Sequence, residues 1–223
     1  MKAAQITAYG PAENIKVVDV EKPSVSDGKV LVKVHAASLN PFDISIREGY
    51  VAKNPQLEKP LTLGGDFAGE IESVGSGVID YKTGDQVYGS ALTFAGGTGA
   101  LAEYTAVPTK NLAIMPETLD FARAAALPLV GSSAVQALYD HMNLQSGQKL
   151  LIIGANGGIG TVAIQIAKHL GANVIAGVHG AADDDLKSLG ADEIVDTDSQ
   201  AYADLKDIDA ILNLVRGTDF EKL

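Results

Sequence analysis

At 223 residues the chain is long enough for one large domain or two modest ones, and its 46% hydrophobic and 20% charged residues are typical of folded globular proteins. It contains no cysteine, which excludes disulfide scaffolds, thiolate zinc sites and cysteine nucleophiles. Its formal net charge of −11 argues against nucleic acid or an anionic membrane surface as a main partner.

The first half of the chain has the pattern of short β-strands. Residues 15–20, 29–36 and 67–74 alternate apolar and polar side chains, and glycine and proline separate these segments. Residues 1–7 also alternate and lack the apolar core of a signal peptide, and no apolar run approaches the roughly 18 residues of a membrane-spanning helix. We therefore predict a compact β-rich domain over residues 1–125, no membrane partner and a cytoplasmic location.

After Thr118, a predicted helix N-cap, the pattern changes to alternating helices and strands. The predicted strands cover residues 149–153, 173–178, 193–195 and 210–214. The predicted helices cover residues 121–127, 135–142, 161–170, 182–189 and 202–206. Strands that alternate with helices indicate βαβ units and a parallel sheet, so we predict a second domain over residues 126–223.

A glycine-rich turn joins the first predicted strand of this second domain to its helix. Such a turn lets the backbone approach a pyrophosphate, and the helix start offers free N–H groups and a positive dipole end. The glycines fit G-x-x-G-x-x-G if Gly158 is set aside and G-x-x-x-G-x-G if Gly157 is set aside, and neither is the strict G-x-G-x-x-G. Strand, turn, helix and second strand follow within about 30 residues, which indicates dinucleotide binding. The residues predicted to contact the dinucleotide are Gly154, Asn156, Gly157, Gly158, Ile159 and Gly160.

The end of the second predicted strand bears on the choice of dinucleotide. His179 stands where the NAD-binding fingerprint places an acidic residue. A carboxylate at that position would repel the 2′-phosphate of NADP, whereas an imidazole can hydrogen-bond to it. We therefore predict that NADPH is favoured over NADH, and the alternative is a surface histidine without a role.

Four further segments carry a family resemblance. They are SLNPFD at residues 38–43, GGDFAG at residues 64–69, residues 74–87, and AALPLVGSSA at residues 125–134. With the glycine-rich turn, they resemble the zinc-independent quinone oxidoreductase branch of the medium-chain dehydrogenase/reductase superfamily. The resemblance implies an α/β protein with a GroES-like β-rich catalytic domain and a Rossmann doubly wound parallel-sheet domain, with the cofactor in the cleft between them.

The resemblance also implies a reaction without zinc. Zinc-dependent relatives carry cysteine at the position of Asn40 and histidine at that of Gly65, and both ligands are missing here. The implied reaction is hydride transfer from NADPH to a quinone or an α,β-unsaturated carbonyl. Conjugation in such a substrate delocalises the arriving charge, so a few hydrogen-bond donors can stabilise the product anion. The alternative is a protein or fragment that binds the dinucleotide without turnover.

Individual roles follow from the same resemblance. Asn40 is expected near the nicotinamide and the substrate, and Asp43 either braces the loop or touches the substrate. Several relatives carry tyrosine where Ser45 stands, so Tyr50 is either a substitute donor or a surface residue. The residues expected to contact the cofactor are Ser133 and the backbone of Leu214 and Val215.

The predicted parallel sheet has four strands, whereas a complete doubly wound sheet has six. We therefore expect the domain over residues 126–223 to lack its last strands. In the family that the chain resembles, these strands include the edge strand used for homodimer formation.

Overall fold

The computed structural model describes residues 1–51, 53, 57–180 and 185–215, so the last eight residues of the predicted second domain lie outside the described ranges. The chain divides into two compact units, Met1–Leu129 and Val130–Leu223. Within the described ranges, no helix is both long and apolar enough to cross a membrane.

The first unit is rich in β-structure, as predicted. Its strands are β1 (Lys2–Ile6), β2 (Lys16–Asp19), β3 (Lys29–Ser38), β4 (Leu61–Thr62), β5 (Asp66–Val74), β6 (Gln86–Ser90), β7 (Tyr104–Pro108) and β8 (Leu112–Ile114). Its helices are α1 (Pro41–Glu48) and α2 (Phe121–Ala125). The strands form an antiparallel five-stranded sheet in the order β7-β3-β5-β6-β8 and a three-stranded sheet in the order β2-β1-β4.

Alternation along the strands builds the core of this unit. Alternate residues of a strand share one face, so Val30 and Val32 of β3 lie on the same side of the sheet. They are fully buried in one cluster with Phe67, Ile71 and Val87. The apolar positions that predicted the strands are therefore the residues that hold the sheet together.

A bulge in β3 sets the register at the end of this strand. Val34 pairs with Gly69 of β5, whereas Ala36 pairs with Ala68, so His35 is the extra residue on β3. The imidazole of His35 stacks on a ring of α2 with the centroids 4.3 Å apart. The bulge therefore redirects the strand just before the predicted active-site loop.

The consequence of the bulge is a specific pair of side chains. Ser38, the last residue of β3, lies opposite Asp66, the first residue of β5. Gly69 makes this arrangement possible, because a Cβ on it would lie 2.1 Å from the carbonyl oxygen of Lys33. Any other residue would push the two strands apart.

The predicted loop at residues 38–43 contains the start of helix α1, which the sequence did not predict. Asn40 is the N-cap, and Pro41 occupies the first helical position, where its missing N–H costs nothing. The helix ends at Gly49, which adopts the left-handed conformation with φ of 87°. A strong cap at each end compensates for the short length of the helix.

The predicted N-cap at Thr118 is wrong. The cap of α2 is Asp120, whose carboxylate accepts a hydrogen bond of 2.7 Å from the N–H of Arg123. Aspartate is at least as good an N-cap as threonine, and it stands directly before the helix.

The second unit contains a parallel sheet, as predicted. Its strands are β9 (Lys149–Ile153), β10 (Asn173–Val178), β11 (Glu193–Asp196) and β12 (Ala210–Asn213). The helices are α3 (Pro128–Val135), which begins at the end of the first unit, α4 (Gly158–His169), α5 (Asp185–Ser188) and α6 (Gln200–Ala203), and a π-helical segment (Gln136–His141) follows α3. The strand order β11-β10-β9-β12 is that of the first four strands of a doubly wound dinucleotide-binding sheet.

The predicted strands of this unit agree with the structure to within one residue, and the helices agree less well. Helix α4 begins at Gly158, three residues before the predicted start, because glycines in its first turn hide the helical pattern. Helix α6 begins earlier than predicted because the Ser199 side chain caps it by accepting from the N–H of Tyr202. Of the predicted helix at 182–189, residues 182–184 lie outside the description.

Both faces of the parallel sheet are covered. On one face, Leu150 and Ile152 of β9 lie in a buried cluster with Ile164 of α4. On the other face, Leu151 and Ile153 pack in a second cluster with Tyr202. This two-sided burial explains the continuous apolar run of β9 and fixes the carboxyl end of the strand.

The close approach at Gly69 gives a stability prediction. We expect Gly69→Ala to lower the free energy of unfolding by about 3 kcal/mol, because the added methyl group meets backbone that cannot move aside. Gly131→Ala is the control, since the new Cβ has no atom within 4 Å in helix α3 and should raise stability slightly. Urea unfolding followed by circular dichroism measures both, and equal stabilities of the two variants would contradict the argument.

Candidate functional site

The turn at residues 154–160, called the nucleotide turn below, is built to expose backbone donors. Gly154 adopts a left-handed conformation with φ of 78°, and its N–H donates to Gly177 at 2.9 Å, which ties the turn to β10. Gly157 is the N-cap of α4 and, with Gly158, is exposed. The first N–H groups of a helix have no acceptor within it and carry the positive end of its dipole. The turn can therefore bind a phosphate.

The glycines of the nucleotide turn have different roles. A Cβ on Gly160 would lie 2.5 Å from the carbonyl oxygen of Ala155, so only glycine allows α4 to pack this closely. A Cβ on Gly157 would have only the Gly154 carbonyl within 4 Å, at 3.3 Å, and would fill the open space before the helix. The glycines with these structural roles, Gly154, Gly157 and Gly160, are the three that fit the spacing G-x-x-G-x-x-G. A pyrophosphate fits this cradle because no side chain occupies it.

Leu214 and Val215 lie against the nucleotide turn. The N–H of Leu214 donates to the Ile153 carbonyl at 3.0 Å, and a Cβ on Gly154 would lie 2.9 Å from Cγ1 of Val215. Both residues follow β12, the neighbour of β9 across the point where the strand order reverses. Ligands of open α/β sheets bind at this point, beyond the carboxyl ends of the strands.

Other predicted cofactor residues lie within the same turn. Asn156 is exposed within it, and Ile159 packs partly into the core below. A Cβ on Gly158 would lie 3.1 Å from the side chain of Val130. Val130 of α3 therefore lies at the start of α4. Ser133 lies one turn further along α3, and its contact with the cofactor stays a prediction.

His179 follows β10 directly and has an acidic partner that the sequence did not predict. Its Nδ1 lies 2.9 Å from Oδ2 of Asp198, and the side chains are 84% and 66% exposed, respectively. Asp198 stands two residues after the end of β11, the neighbour of β10 in the sheet. The imidazole is therefore accessible to a ligand, but any ligand that binds to it also lies close to the Asp198 carboxylate.

In the first unit, a buried carboxylate gathers three donors. Oδ2 of Asp66 accepts hydrogen bonds from Nδ2 of Asn40 at 2.9 Å, from the Ser38 hydroxyl at 3.3 Å and from the N–H of Leu129 at 3.1 Å. The Asp66 residue is only 3% exposed. We call Ser38, Asn40, Asp43 and Asp66 the amide–carboxylate cluster.

Asp43 holds the same loop from the other side. Its Oδ2 accepts from the backbone N–H of Asn40 at 2.7 Å, so the side chain caps α1. Its Oδ1 is buried and has no hydrogen-bond partner of standard geometry within the described ranges. This arrangement corresponds to the bracing role, and substrate contact by Asp43 stays a prediction.

Burial shifts the titration of both carboxyl groups. Desolvation raises the pKa of Asp43, and the N–H groups of Asn40 and Gly65 oppose the shift. Desolvation also raises the pKa of Asp66, the Leu129, Asn40 and Ser38 donors oppose it, and the charge of Asp43 adds to it. The cluster therefore favours protonation more than exposed carboxylates do.

Tyr50 lies apart from this cluster. Its residue is 79% exposed and follows the end of α1. The Ser45 hydroxyl, at the position where relatives carry tyrosine, donates to the Pro41 carbonyl at 3.2 Å within the helix. No hydrogen bond between described residues joins the Tyr50 hydroxyl to the amide–carboxylate cluster, and its role as a donor stays a prediction.

The sequence did not identify Asp66 or Asp198 as site residues. Asp66 leaves a signal, because it is a charged residue at the start of an otherwise apolar buried segment. Asp198 leaves no such signal, because its partner His179 follows a different strand and the two residues meet only when β10 and β11 pair. Within the part of the chain that the structure describes, no group of three or more His, Asp or Glu side chains is placed to hold a metal ion.

Two family models match the chain. The model described as alcohol dehydrogenase GroES-like domain matches residues 26–117, and the model described as zinc-binding dehydrogenase matches residues 158–221. The first match lies in the β-rich unit and the second in the parallel-sheet unit.

Several curated proteins are similar in sequence. A 2-methylene-furan-3-one reductase of Solanum lycopersicum is 40% identical and an NADPH-dependent alkenal/one oxidoreductase of Arabidopsis thaliana 39% identical, each over 93% of this chain. The chain spans 55% of the length of both. A chloroplast envelope quinone oxidoreductase homolog of Arabidopsis thaliana is 37% identical over 99% of this chain, which spans 70% of that protein.

Solved structures have the same fold. The quinone oxidoreductase of Coxiella burnetii superposes with a TM-score of 0.88 at 37% identity, covering 97% of this chain and 69% of that one. A mycobacterial protein solved in complex with NADPH gives a TM-score of 0.79 at 29% identity, covering 91% of this chain and 61% of that one.

The raised pKa of Asp66 makes stability depend on pH. The folded state holds the Asp66 proton more tightly than the unfolded state, so this contribution is complete below the unfolded pKa of about 3.9 and is lost as pH rises through the folded pKa. Asp66→Asn removes the charge and keeps an accepting oxygen. We expect the unfolding free energy of D66N, relative to the original protein, to increase between about pH 4 and about pH 7.

Thermal unfolding at several pH values measures this difference. Asp80→Asn, at an exposed position, controls for the change in net charge. A D66N difference that stays constant or decreases with rising pH would contradict the assignment of a buried, charged Asp66.

Proposed function

Because this chain belongs to the quinone oxidoreductase branch of the medium-chain dehydrogenase/reductase superfamily, we propose that it transfers hydride from NADPH to a quinone or an α,β-unsaturated carbonyl without a metal ion. The observation that carries the proposal is the nucleotide turn, where exposed N–H donors and the bare Gly157 form a cradle for a pyrophosphate. The names of the relatives support the substrate class, since they include an alkenal/one oxidoreductase and a quinone oxidoreductase homolog.

The second unit would hold the cofactor along the carboxyl edge of its sheet. The first N–H groups of α4 bind the pyrophosphate, and the backbone of Leu214 and Val215 lines the neighbouring strand end. His179 can donate to the 2′-phosphate, which favours NADPH over NADH. One relative named as NADPH-dependent and a similar mycobacterial structure solved with NADPH support the same choice of cofactor. The bound cofactor supplies the hydride. The chain's own groups orient it.

Asn40 would stabilise the charge that develops on the substrate oxygen. The Asn40 amide nitrogen donates to Oδ2 of Asp66 at 2.9 Å and, over a long contact of 3.5 Å, to the Ser38 hydroxyl. In the proposal, the substrate oxygen replaces the Ser38 hydroxyl as the acceptor of the second amide N–H. A carboxylate only accepts, so Asp66 fixes which end of the Asn40 amide faces it. A donor already oriented in this way stabilises an enolate or a hydroquinone anion without reorganising. Asn40 and Gly65 stand where zinc-dependent relatives carry cysteine and histidine, so the proposal assigns the stabilisation of this charge to the Asn40 amide instead of a zinc ion.

The cytoplasmic location stays a prediction, and two of the relatives described above are named for the chloroplast or its envelope. The family suggests a homodimer, but the edge strand that it uses for this is among the strands expected to be missing here. The division of labour between a catalytic first unit and a cofactor-binding second unit is likewise part of the proposal.

The proposed activity is tested by mixing the protein with NADPH and a panel of quinones and enones. We expect loss of the near-ultraviolet absorbance of reduced nicotinamide with at least one acceptor. Binding of NADPH without turnover of any acceptor would contradict the catalytic proposal and favour a binding protein.

Gly157→Ala tests the cradle. We expect the variant to bind NADPH at least ~10-fold more weakly, because the new methyl group occupies the space of the pyrophosphate, at a cost of only about 1 kcal/mol in stability. Titration calorimetry measures the affinity, and Gly131→Ala is the control with open space at its Cβ. Unchanged affinity of G157A would place the pyrophosphate elsewhere.

Asn40→Ala tests the proposed donor. We expect kcat to fall by about 100-fold while NADPH affinity stays the same, since removing one donor to a developing oxyanion has an effect of this size. Ser45→Ala on the same helix is the control, because the Ser45 hydroxyl is bonded within α1. Equal kcat values for the two variants would exclude the Asn40 amide as the donor.

A further inference from the structure

The carboxyl ends of β10 and β11 bring together residues that are far apart in the sequence. The two strands pair in parallel with Val178 opposite Asp196. His179 follows the first strand and Asp198 lies two residues beyond the second, with 2.9 Å between Nδ1 and Oδ2. Both side chains are largely exposed, so a ligand that reaches one also meets the other.

The surroundings of this pair are acidic. Oδ1 of Asp196 accepts from the N–H of Gly180 at 3.2 Å and from the N–H of Asp198 at 3.0 Å, which holds a second carboxylate at the same edge. The segments 173–180 and 193–200 contain no lysine or arginine. His179 is therefore the one side chain of these two segments that can offer positive charge or a ring N–H to a phosphate.

We propose that Asp198 determines the nucleotide selectivity of the site by opposing the 2′-phosphate of NADPH. The inference rests on the proposed function, in which His179 receives that phosphate. A phosphate that bonds to the imidazole must share it with the Asp198 carboxylate, and two anions then lie within a few ångströms of each other. The 2′-hydroxyl of NADH carries no such charge and can instead donate to the carboxylate, as it does to the acidic residue of NAD-binding sheets.

The consequence is a weak preference between the two cofactors. His179 favours the phosphate and Asp198 opposes it, so the two effects partly cancel. If the charge of Asp198 is removed, the phosphate can bind to the imidazole without a second anion beside it. The affinity for nucleotides with a 2′-phosphate should then rise, and the affinity for those without one should change little, since an asparagine oxygen still accepts from a hydroxyl.

The experiment compares 2′,5′-ADP with 5′-ADP, which probe the adenosine half of the site without any redox chemistry. Each is titrated calorimetrically into the full chain and into Asp198→Asn. We expect 2′,5′-ADP to bind D198N about five- to tenfold more tightly than the original chain, because one like charge a few ångströms away at a protein surface has been removed. The affinity of 5′-ADP should stay within about twofold of its value for the original chain. Asp198→Ala should shift the 2′,5′-ADP affinity in the same direction.

Asp207→Asn is the matched control. Asp207 is exposed and precedes β12, so it lies at the amino end of the parallel sheet, opposite the nucleotide site, and its change removes the same charge. A gain of equal size in D207N would mean that overall charge is responsible, and it would overturn the role of Asp198.

The remaining outcomes separate this inference from the proposed function. Weaker 2′,5′-ADP binding by D198N would mean that Asp198 helps the imidazole bind phosphate, and it would overturn the inference. Unchanged binding by D198N, with clear binding of both nucleotides to the original chain, would also overturn it and leave the proposed cofactor site intact. If the original chain bound neither these nucleotides nor NADPH, the proposed function would fail together with the inference.

Discussion

The buried carboxylate of Asp66 is the interaction on which the arrangement of the first unit depends. It accepts from the amide of Asn40, the hydroxyl of Ser38 and the N–H of Leu129, and so joins the end of β3, the cap of α1 and the last residue of the unit. Burying a charge is costly unless donors surround it, and the raised pKa reflects that cost. In return, the Asn40 amide is held in one orientation, which its proposed role as a donor to the substrate requires.

The second unit achieves its site by a different means, with backbone rather than buried charge. Glycines let β9 turn into α4 so closely that the first N–H groups of the helix remain open to a ligand. The carboxyl ends of β9, β10, β11 and β12 all lie at the same edge of the sheet, because the strands are parallel. One edge therefore gathers the nucleotide turn, His179, Asp198 and the segment from Leu214 to Val215.

Sequence patterns predicted the parts of the fold that depend on local apolar periodicity. β9 and β10 agree to the residue, because their apolar runs are buried on both faces. Helix α1 was missed because its eight residues depend on caps more than on periodicity. The glycine turn was predicted as a site, whereas the partnership of His179 with Asp198 was not, since it arises only when β11 pairs with β10. Local sequence thus predicts elements and turns, and contacts between strand ends require the structure.

We propose that the nucleotide turn and Asn40 of this chain serve hydride transfer to a conjugated acceptor. The most direct measurement uses NADPH that carries deuterium at the transferable position of the nicotinamide, together with an enone that the protein reduces. We expect one deuterium in the product, on the carbon β to the carbonyl, as detected by mass spectrometry. A reduced product without deuterium there, or no product from any enone or quinone, would contradict this proposal.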